Sequence, residues 1–155
     1  MEPYIKKLSE IIRNTDMNNT YKMVWIRSIV ETCVLVPDKE TIHFDDLSPK
    51  IFGYYWNQTI FFHLEQGPNP HKRPEIHQIV LEQVNRYRER QGSQPVFFSK
   101  IEDSISIPVS KISSVLKKDV CHRFQKSNEI YDLDRKNRTI RPHQPDLIRD
   151  YSDVL

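Results

Sequence analysis

The chain has 155 residues, a mass of 18.6 kDa and a formal net charge of +2. That length fits one domain with a real core, and the chain is too apolar and aromatic to be disordered. Three glycines exclude P-loops, dinucleotide fingerprints and collagen-like repeats, which need several glycines at fixed spacing.

Two cysteines, Cys33 and Cys121, cannot build a disulfide framework or a four-cysteine zinc site. Both sit in apolar patterns and read as buried free thiols. No run approaches the ~18 apolar residues of a membrane span. Met1-Glu2-Pro3-Tyr4 lacks the basic-then-apolar pattern of a leader, so a cytoplasmic chain without membrane contact is expected.

Ile5, Leu8, Ile11 and Ile12 recur at helical spacing and predict a first helix over 4–13. Residues 14–19 are a polar turn. A second helix is expected from Thr20 to Val36, apolar nearly all round and therefore central, ended by Pro37. Thr41 to Phe44 suggests a short strand. Asp45 or Asp46 then caps a third helix to about Leu64, with Pro49 tolerated only in its first turn. This helix holds the densest aromatics: Phe52, Tyr54, Tyr55, Trp56, Phe61 and Phe62. A rigid loop, Gly67 to Arg73, leads to Pro74 at the first position of an amphipathic helix that ends at Arg90 before Gly92.

Residues 95–98 and the alternation of Ile105 and Ile107 with serines suggest two further strands. Residues 109–125 predict a helix, 130–133 and 138–141 a hairpin, and 145–155 a last helix. The fold class expected is α+β, predominantly α-helical, in one domain over 1–155. It comprises a helical core, 4–91, and a basic helix-and-hairpin part, 95–155.

Charge is unevenly spread. Residues 111–141 carry nine Lys or Arg against four Asp or Glu, a net of +5, while the remainder is slightly acidic. A helix followed by a basic hairpin is the arrangement of a winged-helix reader, in which the helix enters a groove and the hairpin tracks phosphates. The residues expected to contact phosphate are Lys111, Lys117, Lys118, Arg123, Lys126, Arg135, Lys136 and Arg138. Lys72 and Arg73 join them from another edge, beside a helix start whose N–H groups favour phosphate. The competing reading is a solvated charged face.

Asn57, Gln58 and Gln66 are candidates for base contact, because Asn and Gln can bond two edges of adenine at once. Against this stands a third helix simply buried on two sides. Catalytic and metal chemistry find little footing. No histidine pair forms His-Glu-x-x-His, no cysteines form Cys-x-x-Cys, and no hydrolase signature is present. Lys100-Ile101-Glu102-Asp103 lacks the closing lysine of a two-metal nuclease. No catalytic residue, metal or cofactor is expected.

The runs Asn19-Thr20-Tyr21-Lys22-Met23-Val24-Trp25, Ile42-His43-Phe44-Asp45-Asp46-Leu47 and Tyr54-Tyr55-Trp56-Asn57-Gln58-Thr59-Ile60 carry a resemblance, which continues from Gln66 through Ile76. It extends weakly to Ile130-Tyr131-Asp132-Leu133 and to Tyr151-Ser152-Asp153-Val154-Leu155. These runs resemble the N-terminal region of bacterial HNH endonucleases of the restriction and phage-defence type. In that group the His-Asn-His unit, often with zinc-binding cysteines, lies further along the chain, and no such unit occurs here.

The resemblance implies a recognition or scaffolding module that binds double-stranded DNA for a nuclease domain, C-terminal or separate, and cuts nothing itself. The alternative is a protein-interaction module whose aromatic third helix forms a homodimer or docks a nuclease. A small metal-dependent nuclease comes third.

Overall fold

The computed structural model describes residues 2–14, 21–62, 74–122 and 130–155. Helix α1 spans Pro3–Asn14 and α2 Tyr21–Leu35. Strand β1, Ile42–His43, runs directly into α3, Phe44–Phe62. Helix α4 covers Glu75–Gln91. Helix α5, Val109–Val115, continues through a π-helical stretch, Leu116–Val120. Strands β2, Tyr131–Asp134, and β3, Thr139–Pro142, form the hairpin, and α6, Pro145–Asp150, follows. The predominantly helical α+β class expected from the sequence is the class observed.

The sheet has the order β1-β3-β2 and is antiparallel throughout. Ile42 stands opposite Ile140, and Leu133 faces the same residue from the other side. Thus α2, β1, α3, α5 and the β2–β3 hairpin follow one another as in a winged-helix unit. Helix α4 and residues 92–108 are inserted between its second and third helices. Helix α3 is the centre, packed against α2, α4 and α5.

Burial explains why α3 is central. Phe44, Leu47, Ile51, Phe52, Tyr55 and Trp56 are fully buried, at helical spacings that cover more than one face. Trp25 on α2 is also fully buried and meets Phe44 and Tyr131 edge-on. Its Nε1 donates to Tyr131 Oη at 3.3 Å, and Tyr4 Oη donates to the Ile130 carbonyl at 2.7 Å. These two bonds tie the start of the hairpin to the helical layer. At the start of α4, the Ile76 N–H donates to Tyr21 Oη at 3.0 Å, which satisfies an otherwise unpaired helix-start donor. The other end of α4 closes on Gly92, whose φ of +91° a residue with a Cβ rarely adopts.

Four sequence expectations need correction. Helix α3 begins at Phe44, so Asp45 and Asp46 lie inside its first turn, and Pro49 is inside the helix rather than in that turn. The cap is His43. Its Nδ1 accepts the Asp45 N–H at 3.0 Å, while Asp46 Oδ2 accepts the His43 N–H at 3.1 Å. That reciprocal pair is a capping box built with a histidine, which pattern rules for Ser, Thr, Asp and Asn overlook.

Residues 95–98 are not a strand. The Phe98 N–H donates to Asn57 Oδ1 at 2.9 Å and Trp56 Nε1 donates to the Val96 carbonyl at 3.1 Å, so side chains of α3 occupy this backbone. Ile105 and Ile107 likewise form no strand and pack singly against the core. The last helix stops at Asp150 and gives way to a 3₁₀ turn, Ser152–Val154. Both cysteines are buried and free, as expected. No described helix is long and apolar enough to cross a membrane.

Candidate nucleic-acid interface

Helix α5 turns Ile112, Val115 and Leu116 inward and leaves Ser110, Lys111, Ser114 and Lys118 exposed. Positions 110, 111, 114 and 118 share one face at helical spacing. The hairpin turn, residues 135–138, stands against the C-terminal end of the same helix. Arg135 Nε donates to the Lys117 carbonyl at 2.8 Å and Arg135 Nη2 to the Lys118 carbonyl at 3.3 Å. A cation there pairs with the negative end of the helix dipole and satisfies two terminal carbonyls.

The turn is stiff. Asp134 Oδ1 accepts the Asn137 N–H at 3.1 Å, and Asp134 Oδ2 accepts Asn137 Nδ2 at 2.8 Å. The Asn137 donors hold the Asp134 carboxyl below its usual range. Arg138 has a φ of +56°, a left-handed conformation uncommon for a residue with a side chain. Its backbone carbonyl accepts the Phe44 N–H at 2.8 Å and its Nη1 donates to Ser113 Oγ at 3.3 Å. Arg138 therefore joins the hairpin to α3 and α5 at once.

The predicted phosphate residues divide accordingly. Arg135 and Arg138 bring the hairpin turn beside Lys117, Lys118 and Ser113 of the helix, and Lys111 lies on the groove toward α4. Arg135 and Arg138 are committed to holding the hairpin against the helix, and Arg138 is half-buried. Lys118 Nζ lies 2.5 Å from Glu75 Oε1 and 3.8 Å from Asp119 Oδ2, and the Glu75 carboxylate raises the pKa of its ammonium. Lys111 and Lys136 are exposed, and Lys117 is half-buried. Arg123 and Lys126, and Lys72, Arg73 and Gln66 on the 63–73 stretch, lie outside the described residues.

An acidic edge borders the face. Glu75, Gln78 and Glu82 of α4 line a groove with Ser110, Lys111 and Ser114 of α5. Glu82 is itself paired with Arg86 at 2.6 Å. Segment charge alone could not reveal this edge, because α4 is about thirty residues upstream of α5.

The structure places Asn57 and Gln58, the candidate base contacts, in different surroundings. The Asn57 carboxamide oxygen is spent on the Phe98 N–H, and Gln58 lines a different groove, between α2 and α3. The two side chains do not converge on one surface, nor on the hairpin. Of the aromatics on the third helix, Phe52, Tyr55 and Trp56 are fully buried, while Tyr54 and Phe61 are half-buried.

Sequence reasoning missed Arg149. It donates to the Cys33 carbonyl at 3.1 Å and to the Pro37 carbonyl at 3.2 Å, and so closes the end of α2 as Arg135 closes α5. It also missed the pair of His143 Nε2 and Asp132 Oδ1, 2.8 Å apart across the hairpin. Among the described residues no group of three or more His, Cys, Asp or Glu is placed to hold a metal ion. No family model, curated protein or solved structure matches the chain.

Proposed function

We propose that this chain is a double-stranded-DNA-binding module that cuts nothing by itself and serves, as a recognition or scaffolding part, an HNH-type restriction or defence endonuclease in the bacterial cytoplasm. The observation that carries the DNA-binding reading is the docking of the 135–138 turn on the end of α5 within the β1-β3-β2 topology. That arrangement supports insertion of a helix into a groove with a hairpin beside it. Lys111, Lys117 and Lys136 supply the phosphate contacts of the described surface, with Lys72, Arg73, Arg123 and Lys126 adding to them. Most of the affinity is then electrostatic and sequence-independent.

The assignment to a nuclease rests on the resemblance of the 19–25, 42–47, 54–60 and 66–76 runs. A mobility-shift assay with duplex DNA at about 50 mM salt tests the binding, since non-specific complexes are readily seen at that salt. Plasmid incubated with the pure chain and Mg²⁺ or Mn²⁺ stays intact on this account, and cleavage would make the chain a nuclease.

A further inference from the structure

Helix α2 is buried on most of its surface, yet one stripe of it is open. Met23 is 55% exposed, Val34 40% and Leu35 65%. Together with Val30 and with Leu155 they line a largely apolar groove of about 600 Å³. Two charges sit in the middle of this stripe. Arg27 lies over the Tyr54 ring, 4.2 Å from its centroid, and Tyr54 Oη donates to Glu31 Oε2 at 2.5 Å. The direct contact of Arg27 Nε with Glu31 Oε1 is long, at 3.9 Å. The guanidinium is thus held in place by stacking, with no tight carboxylate partner among the described residues.

We propose that α2 of a second copy of this chain covers the groove, antiparallel to the first, about a two-fold axis level with Ile29. The order of residues along α2 is what selects this occupant. An antiparallel two-fold places each position opposite one equally far on the other side of the axis. Arg27 then meets Glu31 of the partner subunit, and Glu31 meets the partner's Arg27. Met23 meets the partner's Leu35. Apolar residues face each other at both ends and opposite charges face each other in the middle, so the stripe is complementary to itself, as an isologous interface requires.

An uncharged apolar ligand would instead strip water from Arg27 and Glu31 without supplying either with a new partner. Stacking on Tyr54 and the Tyr54–Glu31 bond already fix both charges, which lowers the ordering cost of association. One helix face with its flanks is small beside a standard interface of about 800 Å² per partner, so a micromolar dimer is expected. This inference does not depend on DNA binding.

The test is sedimentation equilibrium of the full chain and of charge-reversed variants, with circular dichroism to confirm folding. The wild type dimerises with concentration. Arg27→Glu and Glu31→Arg each raise the dissociation constant about tenfold or more, through like-charge opposition, and the double reversal recovers dimer. A second measurement fixes the register. Met23→Cys chains mixed with Leu35→Cys chains oxidise to a mixed disulfide faster than either variant alone. In this register the two Met23 positions stand about 18 Å apart along the axis, and native Cys33 and Cys121 are buried. A wild type that stays monomeric at about 1 mM, the weak limit of specific affinity, overturns the proposal. So does cross-linking of the mixture no faster than of each variant alone.

Discussion

Arg135 Nε donates to the Lys117 carbonyl at 2.8 Å, so a residue of the hairpin turn closes the helix that precedes it by eighteen positions. Contact and charge coincide here, because the guanidinium faces the negative end of the α5 dipole. Arg135→Ala should lower Tm by about 3 °C, the shift that one lost cap gives in a domain of this length. Arg135→Lys should recover part of the loss, since it keeps the charge but not the two-donor fork. Differential scanning fluorimetry reads both, and an unchanged Tm in Arg135→Ala would remove the clamp from the account.

Asn57 gives a second prediction. Its carboxamide holds the Phe98 N–H at 2.9 Å in a half-buried setting. Asn57→Ala should cost about 1–2 kcal/mol of stability, by leaving a backbone donor poorly satisfied. It should leave the salt dependence of DNA binding unchanged. A loss of affinity without a loss of stability in urea unfolding would make Asn57 a DNA contact.

Gly53 lies under the Phe98 ring, where an added Cβ would stand 2.7 Å from Phe98 Cδ1. Gly53→Ala should therefore destabilise by about 1–3 kcal/mol through overpacking, despite the better helix propensity of alanine. Phe98→Leu in the same chain should return part of that loss. A stabilised Gly53→Ala variant would show that the ring moves aside at no cost.

The titration of buried groups predicts alkaline sensitivity. Burial pushes the Cys33 thiol from near 9 up to about 11, with Arg149 partly opposing, and pushes the Tyr4 hydroxyl up to about 12. Tyr21 and Tyr131 are raised as well, again by burial. The unfolded chain releases these protons first, so above about pH 9 the folded state binds more protons and stability falls. The decline begins near the ordinary thiol value and continues through pH 11 to 12. Urea midpoints at pH 8 and pH 10.5 should differ, and Cys33→Ala should flatten the early part of the fall. A pH-independent midpoint would contradict the burial of these groups.

These residues also show what the sequence made legible. Helical periodicity in 4–13, 20–36 and 109–125 located α1, α2 and α5, although residues 20 and 123–125 lie outside the described residues; an amphipathic or fully apolar stretch has few other ways to bury its side chains. The hairpin was legible from Asp134 to Asn137 as a polar turn between apolar runs. Segment charge drew attention to Arg135 and Arg138 without showing that their guanidinium groups are spent on Lys117, Lys118 and Ser113.

Residues 95–107 misled for a related reason. Val96 and Phe97 have the composition of a strand, but the bonds that hold this segment come from Asn57 and Trp56, about forty positions earlier. Asn57 was singled out as a polar side chain on an aromatic helix, and its bond to the Phe98 N–H had no signal in the sequence. The β1–β3 pairing that completes the winged-helix order links residues 42 and 140, a separation no local pattern encodes.

The central claim is that the face formed by α5 and the hairpin turn binds the phosphates of duplex DNA. Its most direct measurement is the dependence of log Kd on log salt for the wild type and for the Lys111→Ala, Lys117→Ala, Lys136→Ala triple variant. Each lost phosphate contact should lower the slope by about 0.9, so the triple variant should fall below the wild type by about 2.7. A wild type that does not bind duplex DNA at about 50 mM salt, or two slopes that coincide, would contradict the account.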